Sequence, residues 1–67
     1  MKIILNTRPE EIDAEVLTVN ELIKYKNFTF RMLVTKVNNQ LVKTVDRDHF
    51  LIKDGDVVEV LHLISGG

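Results

Sequence analysis

The residues with the clearest chemical use stand at the C-terminal end of the 67-residue sequence, where the apolar run Val57 to Ile64 gives way to Ser65, Gly66 and Gly67. A diglycine carboxylate is a reactive handle. Two residues without Cβ make a thin approach that can enter a narrow enzyme channel backbone first, with no side chain to clash as the carboxylate of Gly67 reaches a nucleotide. The carboxylate is then itself a substrate. A terminal Gly-Gly can also be no more than a frayed end. Here it follows a strong strand pattern with almost no spacer and no linker composition between, so residues 65–67 are expected to be a short flexible tail on a folded domain.

The rest of the sequence is poor in reactive constellations. It contains no Cys, which excludes a disulfide framework, a thiolate metal site and a cysteine nucleophile, and fits a reducing cytosol. His49 and His62 are the two histidines, and no suitably spaced carboxylate pair accompanies them, so no metal site is expected. Asp54 and Asp56 flank Gly55 at the spacing of a carboxylate pair, but turn chemistry accounts for both. Glu10, Glu11, Asp13 and Glu15 form an acidic cluster that reads as a solvated edge rather than a docking patch. With no nucleophile-base pair, ligand set or phosphate loop, the chain reads as a protein acted upon, not as an enzyme.

Length and charge narrow the partners. A chain of 67 residues makes one domain, residues 1–67, that buries only about 60% of its unfolded surface, so a roomy catalytic cleft is not expected. Nine basic and ten acidic residues leave a formal net charge of −1, without the electrostatic footprint of a nucleic-acid binder. Proteins are the expected partners. Met1 leads directly into a strand-like run, with neither a charged n-region nor a long apolar stretch, so secretion and membrane spanning are not expected and a cytoplasmic location is.

The elements that must position the tail follow from pattern and turn chemistry. Lys2 to Leu5 reads as a first strand, ended by the turn formers Asn6-Thr7-Arg8-Pro9, and Glu10 to Ile12 as a short second strand. Thr18 and Glu21 spell a Thr-x-x-Glu capping box, flanked by Leu17 and Leu22 at the staple positions. A helix is therefore expected from Val19 to Tyr25 or Lys26, with Val19, Leu22, Ile23 and Lys26 on the face that covers a sheet. Met32 to Val37 reads as the third strand, Asn38-Asn39 as a tight hairpin turn into Leu41-Val42, and Asp46 to Phe50 as a polar bend with Phe50 as a plug. Lys53-Asp54-Gly55-Asp56 is a strong turn before the final strand, Val57 to Leu63. The order β-β-α-β-β-β gives an α+β fold, one helix across a small mixed sheet, with the first and last strands able to pair in parallel.

Along the final strand a period of two sets Val58, Val60 and His62 on one face and Val57, Glu59, Leu61 and Leu63 on the other. If the valines face the helix, Leu61, Leu63 and the adjoining Ile64 stand outward beside the tail as a candidate partner-docking patch. A sheet buried on both sides explains the same alternation.

With this element order and this tail, the chain resembles the β-grasp sulfur carriers of the ubiquitin superfamily, and within them the ThiS family. The resemblance spans nearly the whole chain and is carried by Val37-Asn38-Asn39-Gln40-Leu41-Val42, by Leu51 to Val60 with its Lys-Asp-Gly-Asp turn, and by Gly66-Gly67. Three features depart from the family pattern: Asn39 at a usual hairpin Gly, Asn6-Thr7-Arg8 in place of a Gly-containing first turn, and an unusually apolar Phe28, Phe30 and Met32. The resemblance implies that an E1-like, ThiF-like enzyme adenylates Gly67 with ATP, that a sulfur donor protein converts the adenylate to a thiocarboxylate, and that a ThiG-like thiazole synthase receives the sulfur. No bound cofactor is implied. The small subunit of molybdopterin synthase also ends in Gly-Gly but usually reaches it through a proline-containing segment, where this chain has Ser65. From other classes, a ubiquitin-like modifier and a plain β-grasp binding module remain as alternatives.

Overall fold

The computed structural model describes residues 1–28 and 32–62. Strand β1 (Lys2–Leu5) and strand β2 (Arg8–Glu11) form a hairpin, and strand β3 (Val16–Thr18) runs straight into helix α1 (Val19–Tyr25). Strands β4 (Leu33–Val37) and β5 (Gln40–Val42) form a second hairpin. A single 3-10 turn (Thr44–Asp46) then precedes β6 (Leu51–Lys53) and β7 (Val57–His62). Five strands make one sheet in the order β2-β1-β7-β4-β5, while β3 and β6 pair separately. In the large sheet β7 runs parallel to β1 and antiparallel to β4. This is the expected β-grasp arrangement, one helix lying across a mixed sheet.

The helix starts where the sequence specifies. The Thr18 hydroxyl accepts from the Glu21 backbone N–H at 3.1 Å, and the Glu21 carboxylate accepts from the Thr18 N–H at 2.9 Å, so two N-terminal donors are satisfied reciprocally. Val19 and Leu22 are then fully buried against Ile3, Leu5, Val58 and Val60, while Leu17 and Ile23 pack at the margin of that core. Lys26, on the same helical face, reaches the Glu10 carboxylate at 2.5 Å. Both groups are partly exposed, so this pair ties α1 to β2 more than it stabilises the fold. Replacing Thr18 with Ala should cost about 1 kcal/mol, read as a lower denaturant midpoint with an unchanged slope.

Several boundaries differ from the sequence expectation, each for a local reason. The first turn is only Asn6-Thr7, with φ of 50° and 70°, so Arg8 and Pro9 belong to the second strand. Pro9 is tolerated because β2 lies at the sheet edge, where its missing N–H costs no ladder bond. The β4–β5 turn has the same left-handed pair, Asn38 at 51° and Asn39 at 68°, which Asn accepts and which matches strand twist in a two-residue hairpin. Thr7 is different, because a β-branched side chain is strained at positive φ. Thr7→Asn should therefore raise stability by about 0.5–1 kcal/mol, measured by equilibrium unfolding. Met32 lies outside β4 and is exposed, and the third strand begins at Leu33.

The strand count also needs correcting, because the sequence reading omitted β3 and β6. Their pairing, Val16 with Lys53, Leu17 with Ile52 and Thr18 with Leu51, buries Ile52 completely and braces the start of the helix. The polar bend after β5 is in fact the 3-10 turn and its exit, and Phe50 does pack on the core.

Candidate functional site

Strand β7 is the element that delivers the C-terminal residues, and both of its neighbours hold it. On one side Ile4 and Leu5 pair with Val57 and Val58. Where β1 ends, the Asn6 side chain takes over the ladder: its Oδ1 accepts from the Val60 N–H at 2.8 Å and its Nδ2 donates to the Val60 carbonyl at 3.2 Å. On the other side β4 pairs along the strand from Val58 with Val37 to His62 with Leu33. The strand is thus anchored through His62, its last described residue.

The strand's neighbours are fixed in turn. Arg47 reaches under β4, donating from Nη2 to the Leu33 carbonyl at 2.6 Å and from Nε to the Thr35 hydroxyl at 3.1 Å, and that hydroxyl donates to the Val42 carbonyl at 2.7 Å. Thr35 is fully buried, so these bonds remove what would otherwise be an unpaired polar group in the core. At the start of β7 the Asp56 carboxylate accepts from the Lys53 N–H and from the Asn38 side-chain amide, while Asn38 accepts from the Val57 N–H. Asp54 accepts from the Lys2 N–H at 2.6 Å. Both aspartates of the turn are therefore occupied with backbone and loop groups, as turn residues. Gly55 between them has φ of 87°, which favours glycine.

The two faces of β7 part as the alternation predicts. Val58 and Val60 face the helix, 0% and 6% exposed, whereas Val57 and Leu61 stand outward at 46% and 45%. Cross-strand register adds residues that the sequence reading did not place there. Leu61 lies opposite the half-buried Val34, and Val57 opposite Ile4, which is 37% exposed. Between these two apolar pairs Glu59 faces Lys36. The open side of the sheet therefore carries an apolar surface interrupted by one pair of opposite charges, with Leu61 and Val34 at the His62 end of β7. A surface of this composition suits a protein partner.

Leu63, Ile64, Ser65, Gly66 and Gly67, like Phe30, lie outside the described residues. The histidines do not converge: His49 is exposed in the loop after the 3-10 turn and His62 is exposed at the end of β7. Among the described residues no group of three or more His, Cys, Asp or Glu side chains is placed to hold a metal ion. Among those residues, too, no helix is long and apolar enough to cross a membrane. Asn6, Val34 and Arg47 are the contributors that sequence reasoning missed. Asn6 and Arg47 act across 54 and 12–14 positions, and no local pattern marks such contacts.

Known proteins share this architecture. The solved structures similar to this chain include the crystal structure of the thiamine biosynthesis protein ThiS from Geobacter metallireducens, with a TM-score of 0.90, 30% identity and 100% of both chains covered. A solution structure of a thiamine biosynthesis protein from the same organism gives a TM-score of 0.77 at 30% identity, covering 100% of this chain and 88% of the other. The model of the ThiS family matches residues 3–67, through the terminal glycine. By fold, extent and sequence the chain belongs to the ThiS family of ubiquitin-like, β-grasp sulfur carriers.

Proposed function

We propose that this chain carries sulfur for thiazole formation in thiamine biosynthesis, and that the carboxylate of Gly67 is the atom group that carries it. The observation behind this reading is a ThiS-family match that runs through Gly67, five positions after a strand that turns Val57 and Leu61 outward. A carboxylate is a poor electrophile until one of its oxygens is made a leaving group. In the proposed sequence a Gly67 oxygen attacks the α-phosphorus of ATP on a ThiF-like enzyme, pyrophosphate departs, and an acyl-adenylate results. The terminal sulfur of a donor protein's persulfide then bonds to the acyl carbon as AMP leaves, and a thiol reduces the acyl disulfide to the thiocarboxylate. Splitting one hard substitution into easier ones is ordinary covalent catalysis. A ThiG-like thiazole synthase receives the sulfur.

The chain's own part is to be held and presented. Leu61 and Val34, with Leu63 and Ile64 following in sequence, form the docking patch for the activating enzyme, and Gly66 gives a backbone-only approach to its nucleotide site. ATP enters as the partner's substrate, and the carrier needs no resident cofactor.

Incubation with ATP, the cognate adenylating enzyme and a persulfide donor tests the reading. Mass spectrometry should show one carboxyl oxygen exchanged for sulfur, placed on Gly67 by fragmentation. An unchanged mass under conditions where the enzyme is active on a known carrier refutes it, and a product joined to lysines of other proteins supports the modifier alternative.

A further inference from the structure

A groove of about 480 Å³ lies away from the open sheet face, between α1 and the connection from β2 to β3. Its apolar walls are Ile12, Ala14, Leu17 and the ring of Tyr25. Ile12 is buried and Leu17 half-buried, whereas Tyr25 is 53% exposed. Asp13, Glu21 and Lys24 complete the lining, and all three are exposed. We propose that this groove is a second protein-docking surface, which receives a short segment presenting a bulky apolar side chain flanked by Lys or Arg.

The apolar part of that description follows from the walls. Small Ala14 leaves the space, and an aromatic ring with one apolar flank and one polar tip is a side chain enriched at protein interfaces. The basic part follows from the rim. Asp13 and Glu21 lie on it, and Glu15, next to Ala14, is exposed as well. Lys24 is the cation that opposes them in the lining. Of the other nearby charges, Glu10 pairs with Lys26 and Lys2 stands opposite Glu11 across β1 and β2, whereas the Met1 ammonium, held by the carbonyls of Ile12 and Ala14, is a second cation beside the groove. Against Asp13, Glu15 and Glu21 these two cations leave a small acidic excess, which favours a basic segment and disfavours an acidic one.

Placement makes this surface compatible with the other. Ile12 follows β2, whose Glu11 pairs with Lys2 at the start of β1, and β1 is parallel to β7. The groove therefore opens at the end of the sheet where β7 begins, on the helix side. Leu61 stands on the opposite side, near the end where β7 finishes. A partner in the groove covers neither Leu61 nor the strand end, so two proteins can hold the carrier at once. The proposal does not depend on activation of Gly67.

An amide chemical-shift titration of the full-length chain tests it, with the capped peptide Arg-Leu-Leu-Arg as probe and Glu-Leu-Leu-Glu as control. The basic peptide should shift the amides of Ala14, Leu17 and Tyr25 and leave those of Val57 and Leu61 in place, and the acidic peptide should bind about tenfold more weakly. Tyr25→Ala, and separately Asp13→Lys with Glu15→Lys, should each weaken the basic peptide about tenfold while the thermal midpoint stays near that of the parent chain. Tyr25 is exposed on the helix, so its variant keeps the test open if the charge reversal does not fold. No shift at about 5 mM peptide, equal binding of the two peptides, or shifts confined to the open sheet face would each overturn the proposal.

Discussion

Deleting Gly67, or adding one residue after it, is expected to abolish adenylation by the cognate activating enzyme while leaving the thermal midpoint within about one degree of the parent chain. The two readouts separate for a structural reason. The buried hydrophobic residues among those described run from Ile3 to Val60. The capping box, the β1–β7 and β4–β7 ladders and the Asn6 bridge also lie upstream of Leu63. Chemistry, in contrast, depends on one carboxylate reaching one phosphorus, and shifting it by a residue moves it by about 3.5 Å, enough to leave an attack geometry. Pyrophosphate release on mixing with enzyme and ATP measures the first effect, and a thermal scan the second. Full pyrophosphate release from the truncated chain would falsify the assignment of Gly67.

Leu61→Asp should weaken binding to the activating enzyme by about thirtyfold or more, which corresponds to about 2 kcal/mol, with little change in stability. Leu61 is 45% exposed on the outward side of β7, opposite Val34. A carboxylate there is hydrated in the unbound carrier, so the fold loses little. In the complex the same carboxylate is desolvated against an apolar surface and finds no partner. Val58→Asp makes the contrasting control, since Val58 is completely buried and its replacement should unfold the domain. Isothermal titration of the folded Leu61→Asp chain with the enzyme checks the affinity. An affinity equal to that of the parent chain means that the enzyme docks elsewhere, and global unfolding means that Leu61 is a core residue.

The features legible in the sequence are those whose causes lie within a few residues. The Thr18–Glu21 box joins residues three apart, so its spelling and its hydrogen bonds are nearly the same statement. The turns at Asn38-Asn39 and Gly55 follow from which side chains accept positive φ. The alternation of β7 follows from the two-residue period of any strand, whereas the exposure of Leu61 depends on that side of the sheet being open. The same logic erred at the first turn, where Arg8 and Pro9 look like turn residues but belong to an edge strand. Whether Pro is tolerated there depends on having no neighbour on its far side, and a linear pattern does not contain that information.

Local pattern is thus enough for the order of the main elements, the helix start, the Asn38-Asn39 and Gly55 turns, the alternation along β7 and the diglycine ending that gives Gly67 its expected chemistry. The remaining strand adjacencies come from the closed fold. That fold joins β3 to β6 across 33 to 37 positions, although three-residue strands are too short to show a period. It placed Ile4 and Val34 beside β7 to build an apolar surface out of separate strands. It also set Asn6 against Val60 and Arg47 under β4, contacts whose partners come together only when the chain has closed its long loops. Local stereochemistry can be read residue by residue, whereas a surface shared by several strands exists only once their register is set.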